Sequence, residues 1–276
     1  MIVYPNAKIN LGLHVTEKRS DGFHNIETVF YPVGWCDMLE LLPDESREHG
    51  ITLSVSGLPV PGETDDNLIV SAYRLIAQDY AVPAVKVHLH KIIPMGAGLG
   101  GGSSDAAFFI KALNQLFELN LAWGEMHHYA RQLGSDCSFF ITDRPVYAEG
   151  KGDEMETIRL DLSAFHVALV YPGIHVNTGD AYRAVHPAKK ETTPEEIVLN
   201  AAPADWKNSL QNDFEKPVFE KNPGIAALKE KMYAAGAVYA AMSGSGSAVF
   251  GIFENDPGKI SFENTLTWQG SLGSIS

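Results

Sequence analysis

Near the N-terminus apolar and polar positions alternate: Ile9, Leu11, Leu13 and Val15 are separated by Asn10, Gly12 and His14. Period two predicts a half-buried strand, because successive side chains point to opposite sides of an extended backbone. Arg19-Ser20-Asp21-Gly22 predicts a turn, and Ile26, Thr28 and Phe30 alternate in a second strand after it. Two more strands are expected at Met38–Leu42 and Ile51–Val55, on either side of a polar loop. The period then shifts. Leu68, Ile69, Ala72, Leu75 and Ile76 recur at helical spacing behind Asp66 and Asn67, either of which suits a helix N-cap. Val85, Val87 and Leu89 return to alternation, and residues 95–103 are rich in glycine. Ala106, Phe109, Ile110, Leu113 and Phe117 line one face of a helix predicted over 105–117. A further helix over 123–133 is stopped by Gly134.

The stretch Gly150–Glu156 has no apolar period and predicts a boundary between a domain of residues 1–154 and a second of 155–276. Beyond it come a buried strand at Phe165–Tyr171, a polar stretch at 189–196 and a helix over 225–235. Two strands, 238–241 and 248–253, then flank the turn Ser243-Gly244-Ser245-Gly246. Strands followed by helices in each half give an α+β class, with two domains and a site in the cleft between them.

Composition narrows the function. The chain has 276 residues, 45% hydrophobic and 20% charged, which fits a folded globular protein and excludes global disorder. A net charge of −13 opposes binding to nucleic acid or an anionic membrane. A small phosphorylated ligand is still compatible, because backbone N–H groups can hold phosphate. Two cysteines, Cys36 and Cys137, are too few for a disulfide framework or a structural zinc site. No secretory signal pattern and no apolar run near the roughly 18 residues of a membrane span is present, so a cytoplasmic location is expected. No heptad or apolar stripe defines an oligomer, and the oligomeric state stays open.

The chemistry concentrates in Pro94-Met95-Gly96-Ala97-Gly98-Leu99-Gly100-Gly101-Gly102-Ser103-Ser104-Asp105. Strand, glycine loop and helix start make an anion site, since glycine permits close backbone approach and the helix N-terminus offers free N–H donors. The alternative is a flexible connection, but folding alone does not ask for so many glycines. A Walker A loop fails for want of a lysine before the serine. The spacing Gly96, Gly98, Gly101 matches a dinucleotide fingerprint, yet a helix stands where its second strand should follow.

The same stretch resembles the P-x-G-x-G-L-G-S/G-S-S motif of the galactokinase, homoserine kinase, mevalonate kinase and phosphomevalonate kinase (GHMP) superfamily. Pro5-Asn6-Ala7-Lys8-Ile9-Asn10-Leu11 and Met242-Ser243-Gly244-Ser245-Gly246-Ser247-Ala248 resemble its other two motifs. Arg19–His24, Asp66–Val70 and Gly134–Cys137 narrow the resemblance to the branch that phosphorylates a hydroxyl of a cytidine diphosphate-bearing polyol in the non-mevalonate route to isoprenoid precursors. It covers roughly residues 1 to 255.

That resemblance implies ATP as co-substrate, with accompanying Mg²⁺ whose protein ligands it does not identify. ATP would be held by Pro94, Gly96, Gly98, Leu99, Gly100, Gly101, Gly102, Ser103 and Ser104, with Asn67 and Leu68 near the adenine. Asp136 would be the catalytic base and Lys8 its partner; on the residues alone, Asp136 could equally cap a following helix and Lys8 be a solvated surface charge. Asn10, Phe23, His24 and Tyr182 would bind substrate, Phe23 and Tyr182 stacking on the cytosine and His24 reading its edge. Ordinary core packing is the alternative for the aromatics. His88 and His90 share a strand face but lack a third metal ligand. Asp105 would lie beside the phosphates, or serve as a first-turn carboxylate favoured by the helix dipole.

Overall fold

The computed structural model describes residues 1–273. In chain order β1 (Ile2–Val3), β2 (Asn6–Lys18), β3 (His24–Cys36), β4 (Met38–Pro43) and β5 (Ile51–Gly57) lead to α1 (Leu68–Asp79) and β6 (Val85–Lys91). Helices α2 (Gly101–Leu116), α3 (Trp123–Leu133) and α4 (Cys137–Thr142) precede β7 (Val146–Glu149), β8 (Glu154–Thr157) and β9 (His166–Tyr171). The chain continues through α5 (Thr178–Ala184), α6 (Pro194–Asn200), α7 (Glu215–Lys221) and α8 (Pro223–Ala234). It ends on β10 (Tyr239–Met242), β11 (Val249–Phe253) and β12 (Leu266–Ser271). The mixture of helices and sheets is the expected α+β class.

Two compact units interleave along the chain. The first takes residues 1–7, 35–95 and 100–143. Its sheet runs β1-β4-β6-β5, with β5 parallel to β6 and the other pairs antiparallel. Leu39, Leu41, Val85, Val87 and Leu89 are buried on it, α2 packs on α1, α3 and α4, and Ile69, Phe109, Leu113 and Phe139 of these helices are buried. The second unit takes residues 8–34, 96–99 and 144 onward. It holds the sheets β2-β3-β7-β8 and β10-β11-β9-β12 with α5 to α8. Leu13, Val15 and Ile26 of one sheet share its core with Val170, Met242 and Val249 of the other and with Phe214, Ile225 and Met232. No helix of the described residues is long and apolar enough to cross a membrane.

Several elements differ from expectation. The first long strand is not half-buried: every residue from Asn6 to Val15 is buried, Asn10 and His14 included. Gly12, at φ 67°, breaks the alternation midway. Leu13 and Val15 beyond it join the second unit's core cluster, whereas Ile9 and Leu11 lie outside that cluster. Helix α2 starts at Gly101 rather than Asp105, so two glycines and two serines form its first turn. The aperiodic stretch Gly150–Glu156 is a hairpin: β7 and β8 pair antiparallel, Glu149 opposite Glu154, with Gly150 and Gly152 at positive φ in the turn. Part of the polar stretch at 189–196 opens α6, where Thr193 and Glu196 form a capping box around Pro194. The tail beyond residue 255 contributes β12, paired along β9.

Candidate active site

Within the second unit, three sequence motifs meet. Lys8 lies on β2 and is only 3% exposed, so it is not a solvated surface charge. Its Nζ donates to Asn10 Oδ1 at 2.6 Å and sits 4.7 Å from the centre of the Phe30 ring. Asn10 Nδ2 donates to Thr28 Oγ1 at 3.0 Å, which fixes the amide and therefore the oxygen that Lys8 meets. The Lys8 backbone N–H donates to Leu99 O of the glycine loop at 3.0 Å. On the loop's other side Ala248 N–H donates to Ala97 O at 3.0 Å and Ser243 Oγ to Gly98 O at 2.8 Å. A Cβ on Gly98 would stand 1.9 Å from the Ser243 carbonyl oxygen, and φ at Gly98 is +79°. Packing against the Ser243–Ser247 turn thus demands glycine here. That corrects the expectation that folding itself has little use for these glycines.

In the first unit, β6 ends on Lys91 and buried Pro94 follows; Gly100, at φ 71°, stands at the N-cap of α2. The N–H groups of Gly101, Gly102 and Ser103 open the helix without intrahelical acceptors, while Ser104 N–H already reaches Gly100 O at 2.9 Å. A 16-residue helix presents the positive end of its dipole at this turn, which suits an anion. Beneath it lies a buried ion triad that the sequence reading missed. Lys91 Nζ donates to Asp37 Oδ2 at 2.5 Å and to Asp105 Oδ2 at 2.7 Å. Asp37 Oδ1 accepts from the N–H groups of Ile92 and Ile93. A Cβ on Gly101 would come within 2.9 Å of Lys91 Nζ, so this glycine makes room for the lysine. Burial pushes the Asp105 carboxyl well above the usual carboxylate range, with Lys91 opposing and Asp37 adding to the rise. Lys91 engages Oδ2 of Asp105, while its Oδ1 is buried without a hydrogen-bond partner. The signal for Lys91 was its phase: it continues the buried series Val85, Val87, Leu89.

Asp136 directly precedes α4 and is half-buried, and its carboxylate makes no capping hydrogen bond, so the helix-cap role is not filled. Burial pushes the neighbouring Cys137 thiol up to about 12, which rules it out as a nucleophile at neutral pH. Asn67 caps α1, its Oδ1 accepting from Ile69 N–H at 2.9 Å, and Leu68 opens the helix. Asn67 also borders a cavity of about 240 Å³ lined by Leu53, Val55, Val60 and Thr64. Ser104 Oγ is buried without a hydrogen-bond partner. Among the described residues no group of three His, Cys, Asp or Glu side chains could hold a metal ion. His88 and His90 instead share hydrogen bonds with Ser54 and Ser56 on the neighbouring strand.

The aromatic candidates divide. Tyr182 on α5 stacks on His24, ring centres 4.9 Å apart and planes 20° apart. Burial and Lys18 lower the His24 pKa. Phe23 is 59% exposed, with Lys151 Nζ 5.3 Å above its ring. A larger cavity of about 500 Å³ borders Thr16, Asn25 and Ile26, with four glutamates, Glu17, Glu27, Glu149 and Glu154, set against two cations, Arg19 and Lys189.

Residues 67–144 match the GHMP kinases N terminal domain and residues 197–265 the GHMP kinases C terminal domain. The 4-diphosphocytidyl-2-C-methyl-D-erythritol kinase of Bacteroides fragilis (strain YCH46) is 46% identical over 274 residues, covering 99% of this chain and 100% of its own. That of Cytophaga hutchinsonii is 48% identical over 276 residues, all of both chains. The chain belongs to this kinase family. A crystal structure of 4-(cytidine 5'-diphospho)-2C-methyl-D-erythritol kinase superposes on the kinase with a TM-score of 0.78 at 34% identity, over 91% of this chain and 89% of that one. A homoserine kinase from Cytophaga hutchinsonii, 16% identical with a TM-score of 0.64 over 90% of this chain and 85% of that one, shares the fold.

Proposed function

We propose that the kinase transfers the γ-phosphoryl group of ATP to the 2-hydroxyl of 4-diphosphocytidyl-2-C-methyl-D-erythritol, a step of the non-mevalonate route to isoprenoid precursors, in the cytoplasm. The observation that carries the reading is the environment of Lys8: a buried ammonium on a strand whose own N–H is bonded to the glycine loop. Residues 1–154 supply the nucleotide site and the catalytic pair, and 155–276 contribute to substrate binding. Backbone N–H groups of residues 96–104 hold the phosphates. Asn67 and Leu68 border the adenine, for which the cavity of mixed apolar and polar lining beside Asn67 offers room. Asp136 takes the proton of the attacking hydroxyl as phosphorus is approached. Lys8 offsets the negative charge that builds on the transferring oxygens, while Asn10 orients the ammonium. Cytosine stacks on Phe23 and Tyr182, taking the face of Tyr182 on which His24 rests, and the displaced His24 hydrogen-bonds its edge.

Mg²⁺ accompanying ATP would neutralise phosphate charge, taking most of its oxygen ligands from phosphate and water. Lys91 neutralises one oxygen of Asp105, and the other, Oδ1, is buried without a partner in the helix's second turn. The orphaned Ser104 hydroxyl is an oxygen donor of the right chemistry in the turn that receives the phosphates. The deciding experiment measures ADP release with the cytidylyl polyol, homoserine and mevalonate in parallel. Turnover with the first alone is expected, inhibited by cytidine nucleotides and not by free methylerythritol. Turnover with homoserine or mevalonate instead would replace the proposed acceptor.

A further inference from the structure

Side chains of residues 212–215 reach β2, the end of β10 with the turn after it, and Tyr182. Asn212 is 4% exposed, and its Nδ2 donates to both Met242 O and Gly244 O at 2.8 Å. Its Oδ1 accepts from Phe214 N–H at 3.0 Å, so the amide has one workable orientation; flipped, its oxygen would face two carbonyl oxygens. Asp213 accepts from Val15 N–H at 2.8 Å and from the Lys190 ammonium at 2.5 Å. Glu215 accepts from Met242 N–H at 2.8 Å and from the Lys229 ammonium at 2.6 Å. Each carboxylate thus holds backbone of a site-bearing segment with one oxygen while a lysine neutralises the other. The backbone adds a bridge to β2: Leu13 N–H donates to Gln211 O at 2.9 Å and Asp213 N–H to Leu13 O at 2.8 Å. Phe214, 1% exposed, meets the Tyr182 ring edge-on at 4.8 Å and 88°.

We propose that Asn212-Asp213-Phe214-Glu215 is the positioning element of the site: Asn212 and Glu215 hold the turn that packs on the phosphate loop, and Phe214 sets the ring of Tyr182. The proposal rests on the functional reading above for what the loop and Tyr182 bind. The link to the loop is short. The turn that Asn212 pins at Met242 and Gly244 carries Ser243 between them, and Ser243 donates its hydroxyl to Gly98 O and presses its carbonyl against the Gly98 Cα. None of the four residues need touch a ligand. Asparagine is required at 212 because two separate carbonyls need two N–H donors from one short side chain. Aspartate has the same shape and, ionised, none of the donors.

The test is a crossed pair of variants in the full chain, Asn212→Asp and Phe214→Met, with thermal unfolding to confirm that each is folded. Binding of a fluorescent ATP analogue and of cytidine diphosphate is measured separately. Asn212→Asp is expected to weaken the ATP analogue at least tenfold while cytidine diphosphate stays within twofold. Phe214→Met should do the reverse, weakening cytidine diphosphate severalfold and leaving the ATP analogue unchanged. A role in general stability would move both ligands together, and that outcome, or no change in either, overturns the proposal. Should Asn212→Asp not fold, Ser243→Ala reads the same linkage from its far end, and unchanged affinity for the ATP analogue there overturns it equally. If the wild-type kinase binds the ATP analogue but phosphorylates no cytidylyl polyol, the functional reading fails, while the ATP-analogue arm still decides the role of Asn212.

Discussion

The glycine loop at residues 96–102 and the tetrapeptide at 212–215 would serve the proposed function in opposite ways. The loop is conspicuous because its geometry asks for glycine at several positions: Gly96, Gly98 and Gly100 sit at positive φ, and Gly98 and Gly101 leave no space for a Cβ. The tetrapeptide is built of ordinary residues in ordinary conformations, and its importance lies entirely in what its side chains meet. A residue chosen for what it lacks is visible in composition. A residue chosen for what it touches becomes visible only when the chain has folded.

The sharpest way to break this contrast is to remove the chemistry and leave both regions intact. Asp136→Ala should lower kcat by about 10²- to 10⁴-fold, the range for loss of a positioned general base, with little change in ATP affinity. Near-normal turnover would take the proton-abstracting role from Asp136. Next in size is Gly98→Ala. A left-handed backbone and the Ser243 carbonyl in the path of the new methyl should together destabilise the fold by roughly 2 kcal/mol or more and weaken ATP. Denaturant unfolding with a parallel nucleotide titration checks this; an unchanged midpoint would mean that the turn and the loop separate freely.

The smallest effect lies on β2, the strand that both regions grip. His14 is buried, and neither ring nitrogen has a hydrogen-bond partner. Burial, with Lys190 adding and Asp213 opposing, lowers its pKa to about 4. The unfolded chain therefore binds more protons than the native one between roughly pH 6.5 and 4, and stability falls as the solution is acidified through that window. From pH 7 to pH 5 the loss attributable to His14 is about 2 kcal/mol. His14→Phe should flatten the wild-type decline by that amount in urea titrations at the two pH values. An identical decline in both proteins would assign it to other groups.

How much was legible differs residue by residue. The helices at 68–79 and 123–133 and the alternation of β6 followed directly from local spacing. Lys8 was marked by its motif, but its burial was not: alternation in β2 assigned one face to solvent, and covering of both faces is a tertiary event. The hairpin at 150–156 was not legible, because two glycines in a tight turn carry no apolar period. Lys91 fell on the buried phase of β6, yet a lysine there invites the opposite reading unless Asp37 and Asp105 are known to reach it.

By itself the sequence determined which backbones could turn left, which stretches repeat at the period of a helix or a strand, and which motifs mark the kinase family. Those follow from sterics and local periodicity, properties of a few neighbouring residues. Only the tertiary structure decided which polar groups are buried and what satisfies them: Lys8 by Asn10, Lys91 by two aspartates, the Met242 and Gly244 carbonyls by Asn212. Such partners lie up to dozens of positions apart. Burying a polar group is costly unless a partner arrives, and spacing along the chain does not name that partner.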